Sequence, residues 1–93
     1  MNNPVRSEWF TVVNPNAGNG KGKKDWERIS ELFYRSDIPV NARFTEMKGE
    51  AIGFTRDALA EGYRKFISVG GDGTLNEIIN GISHRMPAPQ KML

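Results

Sequence analysis

The stretch Phe66-Ile67-Ser68-Val69-Gly70-Gly71-Asp72-Gly73-Thr74-Leu75-Asn76-Glu77 decides the fold. A short, mostly apolar run leads straight into three glycines set around one aspartate, and a helix-period pattern follows. The run reads as a strand over 66–69. Beyond the turn, Leu75, Ile78, Ile79 and Ile82 fall at i, i+3, i+4 and i+7, which predicts a helix over 75–82 with those four on its buried face. Thr74 with Glu77 three residues later matches the capping-box pattern, in which each side chain satisfies a backbone N–H at the helix start. A glycine cluster placed between a strand and a helix is the context of a ligand loop, not of a linker.

The same arrangement recurs upstream. Trp9-Phe10-Thr11-Val12-Val13 is continuous and β-branched, as expected of a strand buried on both faces. Asn14-Pro15-Asn16 ends it, because proline cannot donate to a ladder and Asn favours turns. A second cluster of glycines, Gly18, Gly20 and Gly22, comes next. From about 24 to 36 the apolar residues Trp26, Ile29 and Phe33 share one face of a helix. Val40, Ala42 and Phe44 alternate with Asn41, Arg43 and Thr45, a period of two that predicts a strand over 40–45 with one wetter face, near a sheet edge. Lys48-Gly49-Glu50 then turns the chain into a helix over 50–61, with Ala51, Thr55, Ala58 and Leu59 on one side and Gly62 placed to end it.

The order is therefore β-α-β-α-β-α, the signature of an α/β fold with a three-layer parallel β-sheet and right-handed crossovers. Parallel strands impose a functional consequence. The segments 14–23, 45–49 and 70–74, which follow the three strands, must open on the same edge, where open α/β sheets bind ligands. Strand order is left undetermined. Residues 83–93 contain two prolines and no periodicity, and Lys91-Met92-Leu93 reads as the start of a further strand, so the chain is expected to be a piece of a larger domain.

Composition excludes several classes. Ninety-three residues make one small domain at most, and 13 Lys+Arg against 11 Asp+Glu leave a net charge of +2. That is too little for a dedicated nucleic-acid binder, and the arginines are scattered without aromatic interleaving. With no cysteine and one histidine, disulfide frameworks, Cys-containing zinc sites and thiol chemistry are out. Apolar runs stop far short of the roughly 20 residues needed to span a bilayer. The start Met1-Asn2-Asn3-Pro4 has no apolar leader, so the cytoplasm is the expected compartment.

The loop Asn14-Pro15-Asn16-Ala17-Gly18-Asn19-Gly20-Lys21-Gly22-Lys23-Lys24 admits two readings. Small residues allow close backbone approach, and successive amide groups before a helix make an anion-binding concavity. Lys21, Lys23 and Lys24 sit where cations oppose the helix dipole, a conflict that a bound anion would remove. An ordinary solvated turn fits the same residues, and neither the P-loop nor the dinucleotide fingerprint is matched. The Gly70–Thr74 turn is sharper. Asp72, ringed by glycines before a helix N-terminus, is suited to a metal-phosphate or a hydroxyl, with a helix-capping aspartate in a tight turn as the plainer reading, whereas Thr74 explains itself as a cap. His84 reads as a solvated residue at a helix end, and Trp9 and Trp26 as core.

Asn14-Pro15-Asn16-Ala17-Gly18, together with Gly70 through Glu77 and the continuation Ile78-Ile79-Asn80-Gly81, resembles the catalytic domain of diacylglycerol kinase-type lipid kinases, a family that includes sphingosine kinases. NAD kinases and phosphofructokinases share the Gly-Gly-Asp-Gly turn. The Asn-Pro-x-Ala-Gly start and the Asn-Glu pair favour lipid kinases. The resemblance implies the N-terminal part of an ATP-dependent kinase acting on a lipid hydroxyl. It implies ATP contacts at Asn14, Pro15, Asn16, Ala17 and Gly18, at Thr45, and at Gly70, Gly71, Asp72, Gly73, Thr74, Leu75 and Asn76. Asp72 would be the acid at the phosphate and magnesium end, with Mg2+ arriving alongside ATP and no separate metal site. Lys21 and Lys23 are added to the site on charge alone. The resemblance also places a further phosphate loop, a lipid-binding domain and the general base beyond Leu93. The isolated chain is therefore expected to be inactive, and the whole protein to touch the inner membrane face peripherally. An incomplete parallel sheet, its next strand beginning near Met92, leaves an unpaired edge by which the chain is expected to self-associate. An NAD kinase-like or phosphofructokinase-like phosphotransferase and a non-catalytic nucleotide-binding module remain the alternatives.

Overall fold

A computed structural model describes residues 4–85. Six elements alternate as β1 (Trp9–Val13), α1 (Ala17–Arg35), β2 (Val40–Phe44), α2 (Glu50–Ala60), β3 (Lys65–Val69) and α3 (Asp72–Arg85). The strands form one sheet in the order β2-β1-β3, and both pairings are parallel. The most continuous apolar run takes the centre: Thr11, Val12 and Val13 of β1 have no exposed surface. The alternating β2 lies at an edge, with Asn41 and Arg43 exposed. Val13 is level with both Phe44 and Val69, so all three strands end together and their following loops share one edge.

The two sheet faces are covered unequally. Phe10 and Val12 pack with Ala51 and Ala58 of α2, Ile78 of α3 and Tyr63, with Phe54, Phe66 and Ile82 around them. Phe10 stands edge-on to Phe66 and tilted against Tyr63, at centroid distances of 5.9 and 5.1 Å, spacings at which aromatic pairs attract. On the opposite face Trp26 of α1 meets Phe44 edge-on at 6.0 Å. This gives three layers, with α1 on one side and α2 and α3 on the other. Close approach of α2 to α3 depends on Gly81, where a Cβ would lie 2.7 Å from the Cβ of Thr55 and 2.9 Å from the carbonyl of Ile52.

The helix starts differ from the sequence reading. α1 begins at Ala17, breaks at once where Gly18, Asn19 and Gly20 take positive φ, and becomes regular from Lys21. α3 begins at Asp72, so Thr74 lies inside its first turn and does not cap it. The Thr74 hydroxyl points back to the Gly70 carbonyl at 3.5 Å, and Glu77 reaches across to α2. No capping box forms, because the Glu77 carboxylate finds two backbone donors elsewhere. The expected four-residue apolar face of α3 is also narrower. Ile78 is buried and Ile82 half-buried, but Leu75 and Ile79 are about half exposed, at 47% and 50%. α2 ends at Ala60, and Gly62 makes the turn beyond it at φ 104°. The expected strand near Met92 and the side chain of His84 lie outside the described residues.

Candidate active site

Three loops converge at the carboxyl edge of the sheet. The first is a tight turn fastened to β3: the Asn14 N–H donates to the Val69 carbonyl at 2.8 Å. The Asn14 side-chain oxygen accepts from the Asn16 N–H at 3.1 Å, and the Asn14 carbonyl accepts from Ala17 N–H at 3.2 Å. This Asx turn is why Asn14 suits the end of the strand. α1 then presses onto the turn through Gly22, where a Cβ would lie only 2.0 Å from the Asn14 carbonyl oxygen. The third loop touches the first in the same way. A Cβ on Gly70 would sit 2.7 Å from the Asn14 Cβ and 2.9 Å from the Thr74 hydroxyl oxygen.

The second loop is held by charge-assisted hydrogen bonds. Thr45 is buried, and its N–H donates to the Val13 carbonyl at 2.8 Å. The Glu50 carboxylate accepts from the N–H groups of Glu46 and Met47 at 2.6 and 2.9 Å. Those two bonds hold its carboxyl below the ordinary value of 4.5, the largest cause being the Glu46 N–H. The Glu77 carboxylate accepts from Gly49 N–H at 2.9 Å and from Ala51 N–H at 3.2 Å.

Between the loops lie two adjoining cavities. The larger, about 380 Å³, is lined by Asn14 and Asn16, by Thr45 through Lys48, and by Gly70, Gly73, Thr74 and Glu77. The smaller, about 200 Å³, is lined by Ala17, Gly18, Lys21, Gly22 and Asp25 and by Gly70 and Gly71. Gly70 borders both. Of the residues singled out from sequence, Asn14, Asn16, Thr45, Gly70, Gly73 and Thr74 meet in the first cavity, and Ala17, Gly18, Lys21, Gly70 and Gly71 in the second. Asp72, Leu75 and Asn76 line a shallower depression that shares Gly73 with the larger cavity. Pro15 and Lys23 line neither cavity, although the Pro15 carbonyl accepts from the Lys23 N–H at 3.0 Å and so ties the turn to the helix.

Charge is arranged along this edge. Lys21 at the smaller cavity is paired with Asp25 at 3.0 Å, one helical turn on. Asp72 stands exposed in the first turn of α3, and no described residue pairs with its carboxylate. Glu46, Lys48 and Glu77 belong to the larger cavity. No group of three or more metal-ligating side chains occurs among the described residues. Glu46, Met47, Lys48 and Glu77 were absent from the sequence-derived site. The first three follow Thr45 on a loop already placed on the ligand edge and were legible by extension. Glu77 was not, because its partners lie 26 and 28 residues away.

The profile of the diacylglycerol kinase catalytic domain matches residues 8–92. A ceramide kinase of Oryza sativa subsp. japonica is 37% identical over 76 residues, covering 78% of this chain and 12% of that protein. A diacylglycerol kinase of Staphylococcus carnosus (strain TM300) is 32% identical over 86 residues, covering 92% of this chain and 28% of that protein. A solved structure from Bacillus anthracis str. Sterne, named provisionally as a diacylglycerol kinase, superposes with a TM-score of 0.65 at 25% identity, over 81% of this chain and 27% of that one. The chain thus spans little more than a quarter of these relatives at most. With the parallel sheet, the two glycine loops and the profile match in agreement, this chain belongs to the diacylglycerol kinase catalytic domain family.

Proposed function

We propose that this chain supplies part of the ATP site of a kinase that phosphorylates a lipid hydroxyl. The observation that carries the reading is the meeting of three post-strand loops around two joined cavities, one walled by glycine backbone. Phosphates belong at the smaller cavity. Its wall of Ala17, Gly18, Gly70 and Gly71 lets backbone amides approach an anion, and Lys21 is at its rim. The N-terminus of α2 is already taken by the Glu77 carboxylate, so it offers a phosphate nothing. The larger cavity carries the carboxylates of Glu46 and Glu77 against the one ammonium of Lys48, a balance that disfavours phosphate and leaves that space to the uncharged nucleoside.

Asp72 is the group for the reacting end. A single exposed carboxylate beside a phosphate loop fits magnesium held mainly by nucleotide phosphates, which needs one or two protein carboxylates and no dedicated cage. Magnesium bound there would offset phosphate charge, while Asp72 would orient the metal-phosphate and the glycine amides would hold the oxygens. The lipid acceptor site and the general base belong to the rest of the protein. The same reading has the whole protein working in the cytoplasm, peripheral to the inner membrane face, as a homo-oligomer without nucleic acid.

The test uses the full-length protein. Asp72→Ala should lower kcat by about 100-fold or more and leave the calorimetric Kd for ATP within about threefold. Gly71→Val should abolish ATP binding, because Gly71 has φ 88° and faces open space where the ligand would approach. Normal turnover by Asp72→Ala would return the aspartate to a purely structural role. Transfer of phosphate to NAD or fructose 6-phosphate, with none to diacylglycerol, would overturn the lipid reading.

A further inference from the structure

The loop that follows β2 is tied locally, by the Thr45 N–H to β1 and by the Glu46 and Met47 N–H groups to Glu50, but none of those bonds reaches α3. Glu46, Met47 and Lys48 are exposed, and Met47 retains 68% of its surface. Yet this loop forms one wall of the larger cavity, opposite the wall built by the start of α3. One side chain spans the two walls. Glu77, half-buried on α3, accepts from Gly49 N–H with one carboxylate oxygen and from Ala51 N–H with the other.

Resting on the ATP reading above, we propose that Glu77 is a positioning residue for the nucleotide. It clamps the 45–49 loop to α3 and so holds the cavity open at its binding width before ATP arrives. The argument is one of preorganisation. The first N–H groups of a helix need acceptors. At α2 they are met by a charged carboxylate from another helix, the strongest kind of backbone hydrogen bond available to them. A bidentate clamp fixes direction as well as distance, so the loop cannot drift without breaking both bonds. Without Glu77, water takes the two N–H groups; the Glu50 bonds keep the loop's own shape, but its distance from α3 is no longer fixed, an ordering cost that ATP must then meet on binding. Asp72 and the two glycine loops do not depend on the clamp, so the chemical step is spared.

Loss of the clamp does not unfold the pair of helices. Contact of Gly81 with Ile52 and Thr55, and burial of Ala51, Ala58 and Ile78, hold α2 on α3 independently. The expected result in the full-length protein is a KM for ATP about tenfold higher in Glu77→Ala, with kcat within about threefold of wild type. Glu77→Gln should fall between, because its amide nitrogen cannot accept and only one of the two bonds survives. A merely structural role would instead reduce the active fraction, lowering apparent kcat at unchanged KM.

Amide hydrogen exchange without nucleotide reads the clamp directly. Gly49 and Ala51 should lose protection about tenfold or more in Glu77→Ala, while amides later in α2 keep theirs. A raised KM with Gly49 and Ala51 still protected would mean that Glu77 touches the nucleotide itself, and would overturn the proposal. So would unchanged KM together with lost protection. If the wild-type protein binds no ATP by calorimetry, the functional reading fails on its own. The exchange pattern still decides the clamp: retained protection sinks it, and lost protection upholds it as a brace for whatever ligand the cavity takes.

Discussion

Gly22→Ala is the smallest change that tests how the site is assembled. Gly22 is buried near the start of the regular part of α1, in ordinary helical backbone, so an added methyl brings no dihedral strain. It does bring a collision. The new Cβ would lie 2.0 Å from the Asn14 carbonyl oxygen and 3.1 Å from its carbon, and both atoms are backbone. Ordinary contact begins near 3.4 Å, so α1 and the 14–17 turn must separate by more than 1 Å. Overpacking of this kind costs about 1–3 kcal/mol, against roughly 1 kcal/mol returned by the better helix propensity of Ala, for a net loss of about 0–2 kcal/mol. Function should suffer more than stability. The displaced turn carries one wall of both cavities, and a misplacement of about 1 Å costs on the order of 100-fold in rate. The assay is kcat/KM for ATP with the melting temperature of the same full-length preparation. Gly53→Ala is the matched control: mid-helix in α2, with nothing within 4 Å of its added Cβ, it should gain about 0.5–1 kcal/mol and leave kcat/KM alone. Wild-type kinetics in Gly22→Ala, or equal damage in both variants, would refute the account of the packed turn.

Two further outcomes are expected. Glu50 has a folded-state pKa below its unfolded value, so its contribution is complete above the unfolded pKa and is lost as pH falls through the folded one. Glu50→Gln should therefore melt earlier than wild type at pH 7, and the two melting curves should approach each other as pH falls below the ordinary carboxylate value and through the depressed folded one; a difference that does not shrink at all on acidification would deny the carboxylate its role in the loop. The isolated chain, residues 1–93, should sediment as a dimer or larger, because β3 has no described partner on its outer side and Leu75 and Ile79 are half exposed nearby; a monomer that resists concentration would show the sheet closing itself.

The architecture was legible because its signals are local. The β-branched run Trp9–Val13 and the period-two segment after Pro39 name their strands, and the alternation with helices forces a shared ligand edge. Helix starts were less legible. Thr74 and Glu77 satisfy the capping pattern in sequence, yet the backbone turns helical two residues earlier and Glu77 has better donors on α2. The apolar period of α3 was real but could not say which half of its stripe is covered. That depends on where α2 lands, and α2 lands on Gly81. Local pattern reports what a residue can do; the winning partner is chosen by contacts between 26 and 28 residues apart.

The lysines show the same division more sharply. Read along the chain, Lys21, Lys23 and Lys24 before a helix looked like charge waiting for an anion. In the fold, Lys21 is paired with Asp25 and its side chain is 72% exposed, so part of the conflict with the helix dipole is relieved within α1 itself. Lys23 lines neither cavity. The case for phosphate therefore passes from side-chain charge to backbone shape. Gly22 and Gly70 are needed because carbonyl or side-chain atoms of Asn14 occupy the space a Cβ would fill. Gly71 is different, with open space before it and a backbone conformation that L side chains rarely adopt. Packing explains the first two glycines without any ligand. Gly71 has no neighbour that a Cβ would meet, and it borders the smaller cavity next to Asp72 in sequence. Its glycine is explained by backbone conformation, φ 88°, and not by packing, so Gly71→Ala tests the backbone at this cavity without a steric collision.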